Sequence, residues 1–271
     1  MKAPLRIMLF ILTLVFSLGS TAAQVKASHS LTNLERIQQT KVLRVGVSSF
    51  VPWVMRDKHG KLVGFEIDVA QKLAADYGWQ IRLVPTAWDG ILASLIAKKI
   101  DVAISGISIT PERQKHVSFS IPYSHSGIQI AAHKQLASKL TTLQKINSRR
   151  VRIAVRRGAT TVTAARRYFP KAQLLQFDDD AQAFQEVLNG NAHLVMATSP
   201  KPEFETIKHA DRLFMPFKKA LAEGSEGFAM PLNDTQMKAF FDKWIKKNQA
   251  WINSRHDYWF KSMDWQKQLT K

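Results

Sequence analysis

Apolar positions along this chain switch between two periods, and the switches predict its elements. Residues 42–47 alternate as a half-buried strand does. An irregular stretch over 48–53 and a turn at 57–60 follow, and then the period lengthens. Ile67, Ala70, Leu73, Ala74 and Tyr77 share one face of a helix opened near Gly64 and closed by Gly78. Residues 81–84 predict the next strand. Asp89 is placed to cap a helix burying Ile91, Leu92, Leu95 and Ile96, and the apolar run through Val102 and Ile104 predicts an interior strand. The order βαβαβα implies parallel pairing with right-handed crossovers.

A polar stretch over 135–150 separates this unit from a second of the same plan. Residues 151–155, 174–177 and 194–197 read as strands. One helix follows Gly158 and is stopped by Pro170; another starts at Asp180 and stops near Gly190. Residues 226–230 are strand-like and return the chain. The last helices, around Phe240, Phe241, Trp244, Trp251 and Trp259, carry aromatics suited to packing back on the first unit.

Two α/β units joined by two crossings make a cleft, and in open α/β sheets ligands sit beyond the carboxyl ends of the strands. The turns at 105–113 and 156–160 occupy such ends. In the first, Thr110 and Pro111 have the N-cap and first-residue chemistry of a helix start, which leaves backbone N–H groups without intrahelical partners. Arg113 stands in that first turn, where acidic residues are favoured, and its guanidinium can grip a carboxylate in bidentate fashion.

The amino-terminal residues form a separate signal. A basic segment over 1–6, an apolar run over 7–18 and the small residues Thr21, Ala22 and Ala23 have the plan of a secretory signal peptide, residues 1–23. Its apolar run is shorter than the ~20 residues a spanning helix needs. The absence of cysteine removes disulfides, thiolate nucleophiles, cysteine metal sites and lipid attachment through an N-terminal cysteine. These features predict a periplasmic protein, expected to be a monomer.

Lys and Arg number 39 against 21 Asp and Glu, a formal net charge of +18. That balance admits an acidic ligand, an anionic surface or nucleic acid. No basic run interleaved with aromatics is present, so nucleic acid is not the expected partner. There is no nucleophile elbow, phosphate-binding loop or His-Glu-x-x-His helix, and the eight histidines lack ligand spacing. No cofactor, metal or catalytic residue is therefore expected.

Gly64-Phe65-Glu66-Ile67-Asp68-Val69-Ala70, Trp88-Asp89-Gly90-Ile91-Leu92, Lys99-Ile100-Asp101-Val102, Ser108-Ile109-Thr110-Pro111-Glu112-Arg113 and Phe119-Ser120-Ile121-Pro122-Tyr123 together resemble the family 3 extracellular solute-binding proteins, receptors of polar amino acid ABC importers. The resemblance implies a type II periplasmic binding protein-like α/β fold, with lobe 1 spanning 41–131 and 222–271, lobe 2 spanning 132–221, and 24–40 as an N-terminal segment. It implies a small-molecule ligand, an amino acid or related carboxylate, and an inner-membrane ABC permease as partner. By the same resemblance Arg113 takes the ligand carboxylate with backbone N–H groups at Ser108 and Thr160. Gly106 and Ser108 help to hold the ammonium, and Phe50 and Trp88 flank the ligand side chain.

Two positions depart from the family pattern. Thr198 stands where an aspartate usually pairs with the ammonium, and Arg156 and Arg157 stand where uncharged residues are usual. A hydroxyl offers no countercharge. The expected binding set is Phe50, Trp88, Ser105, Gly106, Ser108, Arg113, Arg157, Thr160 and Thr198, directed at an amino acid, acidic or otherwise carboxylate-bearing. The alternative is a periplasmic cyclohexadienyl dehydratase, which Ser105 to Ile109 and Phe119 to Tyr123 also resemble. Its proton donor would have to come from Glu203 or Glu205 through a shifted loop.

Overall fold

The computed structural model describes residues 31–268; the signal-peptide segment and the first residues of 24–40 lie outside them. The described chain opens with helix Asn33–Thr40. It begins at a reciprocal capping box of Thr32 and Glu35 and ends where Lys41 turns left-handed.

The two periodic halves build two main sheets. In the first, five-stranded sheet, Val42–Val47 pairs in parallel with Gln80–Pro85 on one side and Val102–Ala103 on the other. Val117–Phe119 and the returning strand Ala229–Pro231 complete it with antiparallel pairing. The second, six-stranded sheet has Arg152–Arg156 between the parallel strands Gln173–Phe177 and Leu194–Thr198. Ser124–His133 lies against Leu194–Thr198 in antiparallel register, and Ala222–Glu226 pairs with it in turn.

Those last two strands move the crossings away from the expected boundaries at 131 and 222. Backbone hydrogen bonds place 124–133 and 222–226 in the second sheet. The chain therefore passes between sheets at 120–123 and 227–228. There the two crossings bond to one another, Ser120 N–H donating to the Phe228 carbonyl and Tyr123 N–H to the Glu226 carbonyl, both at 3.0 Å. A ladder begun at the crossing continues without a break into Ser124–His133, and sequence period alone does not mark where it changes sheet.

Helix Phe65–Asp76 covers the first sheet with Ile67, Ala70, Leu73 and Ala74, and Gly78 closes it at φ +62°. The next helix departs from expectation. Trp88–Gly90 forms a 3₁₀ turn and Gly90, not Asp89, caps Ile91–Ile96. In the second half the cap of Asp180–Leu188 is Asp179, whose carboxylate accepts the Gln182 N–H at 2.8 Å. The carboxy-terminal helices are one helix, Thr235–Lys261. It is pinned to Phe65–Asp76 by Asp68, which accepts from Arg255 at 2.6 Å and from Trp259 Nε1 at 2.7 Å. Asp76 accepts from Trp244 Nε1 at 2.8 Å. Phe241, Trp244, Ile252 and Trp259 are buried along its inner face, each such burial contributing ~2 kcal/mol.

Candidate functional site

The site is assembled where the carboxyl ends of the parallel strands of both sheets meet. Thr110, in extended conformation, accepts the Arg113 N–H, and Pro111 supplies the first residue of the short helix Pro111–Gln114. This geometry turns the Arg113 side chain back over the strand end. Its Nη1 donates to the Ser108 carbonyl at 2.9 Å, and its Nη2 donates to the Gly158 carbonyl of the second unit at 3.2 Å. Burial, and then the charge of Arg156, lower its pKa to about 10, so it remains a cation at neutral pH.

Trp88 and Phe50 form the wall beside it. Both are buried. Phe50 is held by paired backbone bonds to Val54 and stacks on Trp53 with centroids 6.0 Å apart. Between Phe50 and Trp88 lies the guanidinium of Arg156, its carbon 4.6 Å from the first ring centroid and 4.0 Å from the second. Arg113 stands 5.5 Å from the same Trp88 ring. Arg156 is 3% exposed and faces Asp180, with Nε 3.2 Å from the Oδ2 carboxylate oxygen. That approach is an ion pair without hydrogen-bond alignment, and Arg156 Nε and Nη1 have no hydrogen-bond partner among the described residues. Burial lowers the Arg156 pKa against the pull of Asp180 and Asp179, while burial raises that of Asp180.

Arg157, expected in the site, is not there. It points into solvent and pairs with Asp178 at 3.3 Å. Arg156 is the last residue of strand Arg152–Arg156 and shares the face of Ala154, on which helix Asp180–Leu188 packs; Arg157 begins the exposed turn. Strand parity could have told the two arginines apart from sequence, because successive side chains point to opposite faces. Arg156, noted in the sequence only as a departure from the family pattern, Asp180 and Lys201 are candidate side chains that the expected binding set left out.

The remaining expected residues divide into two groups. Ser108, Thr160 and Thr198 come together around a cavity of about 120 Å³, joined by Glu223 from the strand beside the crossing. Thr160 opens helix Thr160–Tyr168, whose N-cap Ala159 supplies no side-chain bond to the first turn. Ser105 is instead consumed by structure. It is fully buried, and its hydroxyl accepts the Ser48 N–H at 2.8 Å and donates to the Ser48 carbonyl at 3.3 Å. Gly106 adopts φ +62°, and a Cβ there would also lie 2.8 Å from the Trp53 ring, so the position suits glycine on both counts.

A second cavity, of about 370 Å³, lies beyond Phe50 and is lined among others by Ser49, Arg56, Asp179, Asp180 and Lys201. Lys201 is buried, ion-paired to Glu205, and 5.3 Å from the Phe184 ring. The two candidate acids of the enzyme reading are engaged inside the second unit. Glu203 accepts from Gln129 Nε2 at 2.6 Å, and Glu205 pairs with Lys201 and lies 3.5 Å from His209. Neither lines either cavity.

Comparison with known proteins agrees with this fold. Residues 43–262 match the family model of bacterial extracellular solute-binding proteins, family 3. A cyclohexadienyl dehydratase from Pseudomonas aeruginosa is 29% identical over 245 residues, 89% of this chain and 90% of its own. An L-cystine-binding protein of Escherichia coli is 28% identical, over 78% of this chain and 85% of its own. The crystal structure of an ancestral amino acid-binding protein, described as a precursor of cyclohexadienyl dehydratase, superposes with a TM-score of 0.77. It is 33% identical and covers 85% of this chain and 100% of its own. The fold is that of the type II periplasmic amino acid-binding proteins.

Proposed function

This chain belongs to the bacterial extracellular solute-binding proteins of family 3, and on that premise we propose that it is a periplasmic receptor for a carboxylate-bearing solute of the amino acid class, preferring an acidic one. The two α/β units act as lobes that close on the solute and present it to an inner-membrane ABC permease; residues 1–23 direct export. The observation that carries this reading is Arg113 reaching from its own strand end to the Gly158 carbonyl of the facing lobe, beside Trp88. A carboxylate entering there meets a preformed cation whose Nη2 already spans the gap, while Nη1 stays on the Ser108 carbonyl.

The preference for an acidic solute rests on charge. Arg113, Arg156 and Lys201 stand around the interlobe region, and Thr198 holds the position where a countercharge for an ammonium would be expected. Against them stand Asp180 beside Arg156, Glu205 paired to Lys201, and Asp179 and Glu223 in the cavity linings. Among the described residues this leaves Arg113 as the one of the three cations with no carboxylate set against it. Arg113 is thereby the charge that attracts an anion in a partly desolvated gap.

The dehydratase reading is kept because the Pseudomonas aeruginosa relative spans nearly the whole chain. Glu203 and Glu205 are held by Gln129 and Lys201 and line neither cavity, which counts against them as its acid. One fold hosts unrelated chemistries, so a relative's activity does not transfer by likeness alone.

A thermal-shift screen of the exported chain against the amino acids, their α-keto acids, small dicarboxylates and prephenate separates the readings. A rise in melting temperature with an acidic amino acid or dicarboxylate, and none with lysine or arginine, is the expected result. Turnover of prephenate with no shift from any amino acid overturns the receptor.

A further inference from the structure

We infer that Arg156 is a tethered internal occupant of the Phe50–Trp88 slot, and that by filling it the protein rejects cationic solutes and admits those whose own anionic group can take hold of its guanidinium. This inference rests on the receptor reading above and names the residue that sets its specificity.

The two rings belong to the first lobe and the guanidinium to the second, so the contact is made across the gap. Its carbon lies within 4.6 Å of both ring centroids, which is where a flat cation is held by ring quadrupoles. A solute side chain entering that slot must displace Arg156 or stop short of it. A lysine or arginine side chain stopping short meets a fixed like charge in a buried, weakly screened place.

Arg156 is also poised to hold an anion. Its Nε and Nη1 are buried and unpartnered among the described residues, although a guanidinium has donors in a fixed fork. Asp180 lies 3.2 Å away on the side of the second lobe, without hydrogen-bond alignment. Arg113 stands 5.5 Å from the same Trp88 ring, and its charge repels that of Arg156. Two guanidiniums from opposite lobes share one ring, and an anion placed between them relieves the repulsion and satisfies open donors. A cation does neither. Arg113 takes one acidic group and Arg156 the other.

The test compares the wild-type chain with Arg156→Leu. Because leucine leaves Asp180 buried without its partner, Arg156→Leu combined with Asp180→Asn is examined beside it, and circular dichroism confirms that each variant is folded. Titration calorimetry uses L-glutamate, L-aspartate, succinate, L-lysine and L-arginine as probes. The expected result is that the folded variants lose about tenfold or more in affinity for the acidic probes. They also gain measurable binding of L-arginine or L-lysine, which the wild type lacks. An unchanged profile in a folded variant overturns the inference while leaving the receptor intact.

Small-angle scattering of the ligand-free proteins gives a readout that needs no ligand. With the slot filled by Arg156 the wild type is compact, and Arg156→Ala is expected to expand as the lobes part. If no probe binds any form, the preference for an acidic solute fails, and the thermal-shift screen decides the receptor. The scattering comparison then decides the occupant by itself, and identical profiles overturn it.

Discussion

The guanidinium of Arg113 donates to the Gly158 carbonyl 3.2 Å away, a hydrogen bond between residues 45 positions apart that spans the gap between the lobes. The same guanidinium holds the Ser108 carbonyl beneath it at 2.9 Å. A ligand carboxylate entering the gap would replace the first bond and keep the second. Arg113→Ala is therefore expected to lower affinity for a carboxylate solute by about a hundredfold or more, the loss of a charge-assisted pair. Its fold should be retained, because the helix cap at Thr110 uses the backbone of residue 113 and not its side chain. Calorimetry on the folded variant is the measurement, and unchanged affinity refutes the site.

Thr198 lines the same small cavity as Ser108 and Thr160 and brings a hydroxyl where a carboxylate would fix an ammonium. Thr198→Asp is expected to raise affinity for α-amino acids about tenfold relative to the matching α-keto acids, which carry no ammonium. Equal effects on both series would place the ammonium elsewhere.

Two carboxyl groups are buried where the chain crosses between lobes. Glu66 accepts from the Tyr123 hydroxyl at 2.6 Å, and Glu226 accepts from Ser124 at 2.8 Å and Ser126 at 2.5 Å. Burial pushes Glu66 up to about 8 and Glu226 up to about 7 from an ordinary 4.5. In the unfolded chain both lose their protons near 4.5, so the folded state holds more protons between that pH and about 8. Their contribution to stability is complete below about pH 4.5 and is lost as pH rises toward 8. The urea midpoint is expected to fall between about pH 5.5 and about pH 8.5, and Glu66→Gln should flatten that fall. An equal fall in wild type and variant would show that other groups govern it.

Gly106 combines φ +62° with a Trp53 ring 2.8 Å from where a Cβ would stand. Gly106→Ala adds backbone strain to a clash with a fully buried ring, and is expected to cost about 2 kcal/mol or more. Urea denaturation measures it directly. A cost below about 0.5 kcal/mol would mean that Trp53 moves freely, contrary to its packing against Phe65 and Phe260 at 5.8 Å and 4.6 Å.

Periodicity alone determined much of this molecule. The parallel strands Val42–Val47, Gln80–Pro85, Arg152–Arg156 and Gln173–Phe177 and the helices Phe65–Asp76 and Asp180–Leu188 were legible in their apolar spacing. Those signals are local: each depends on residues within one or two turns, or on alternate positions of one strand. The cap at Thr110 and the placing of Arg113 were legible for the same reason.

The tertiary structure decided what depends on distant atoms. Ser105 read as a ligand contact until Ser48, 57 positions away, took its hydroxyl. The strand Ser124–His133 changed sheets because its hydrogen-bond partners are residues 194–198 and 222–226. Arg156 entered the slot instead of Arg157 because a strand face and the start of a helix on it aim one arginine inward and leave the next to solvent. A chain fixes which side chains alternate; only its packing fixes which of them meets a ring, a carboxylate or water.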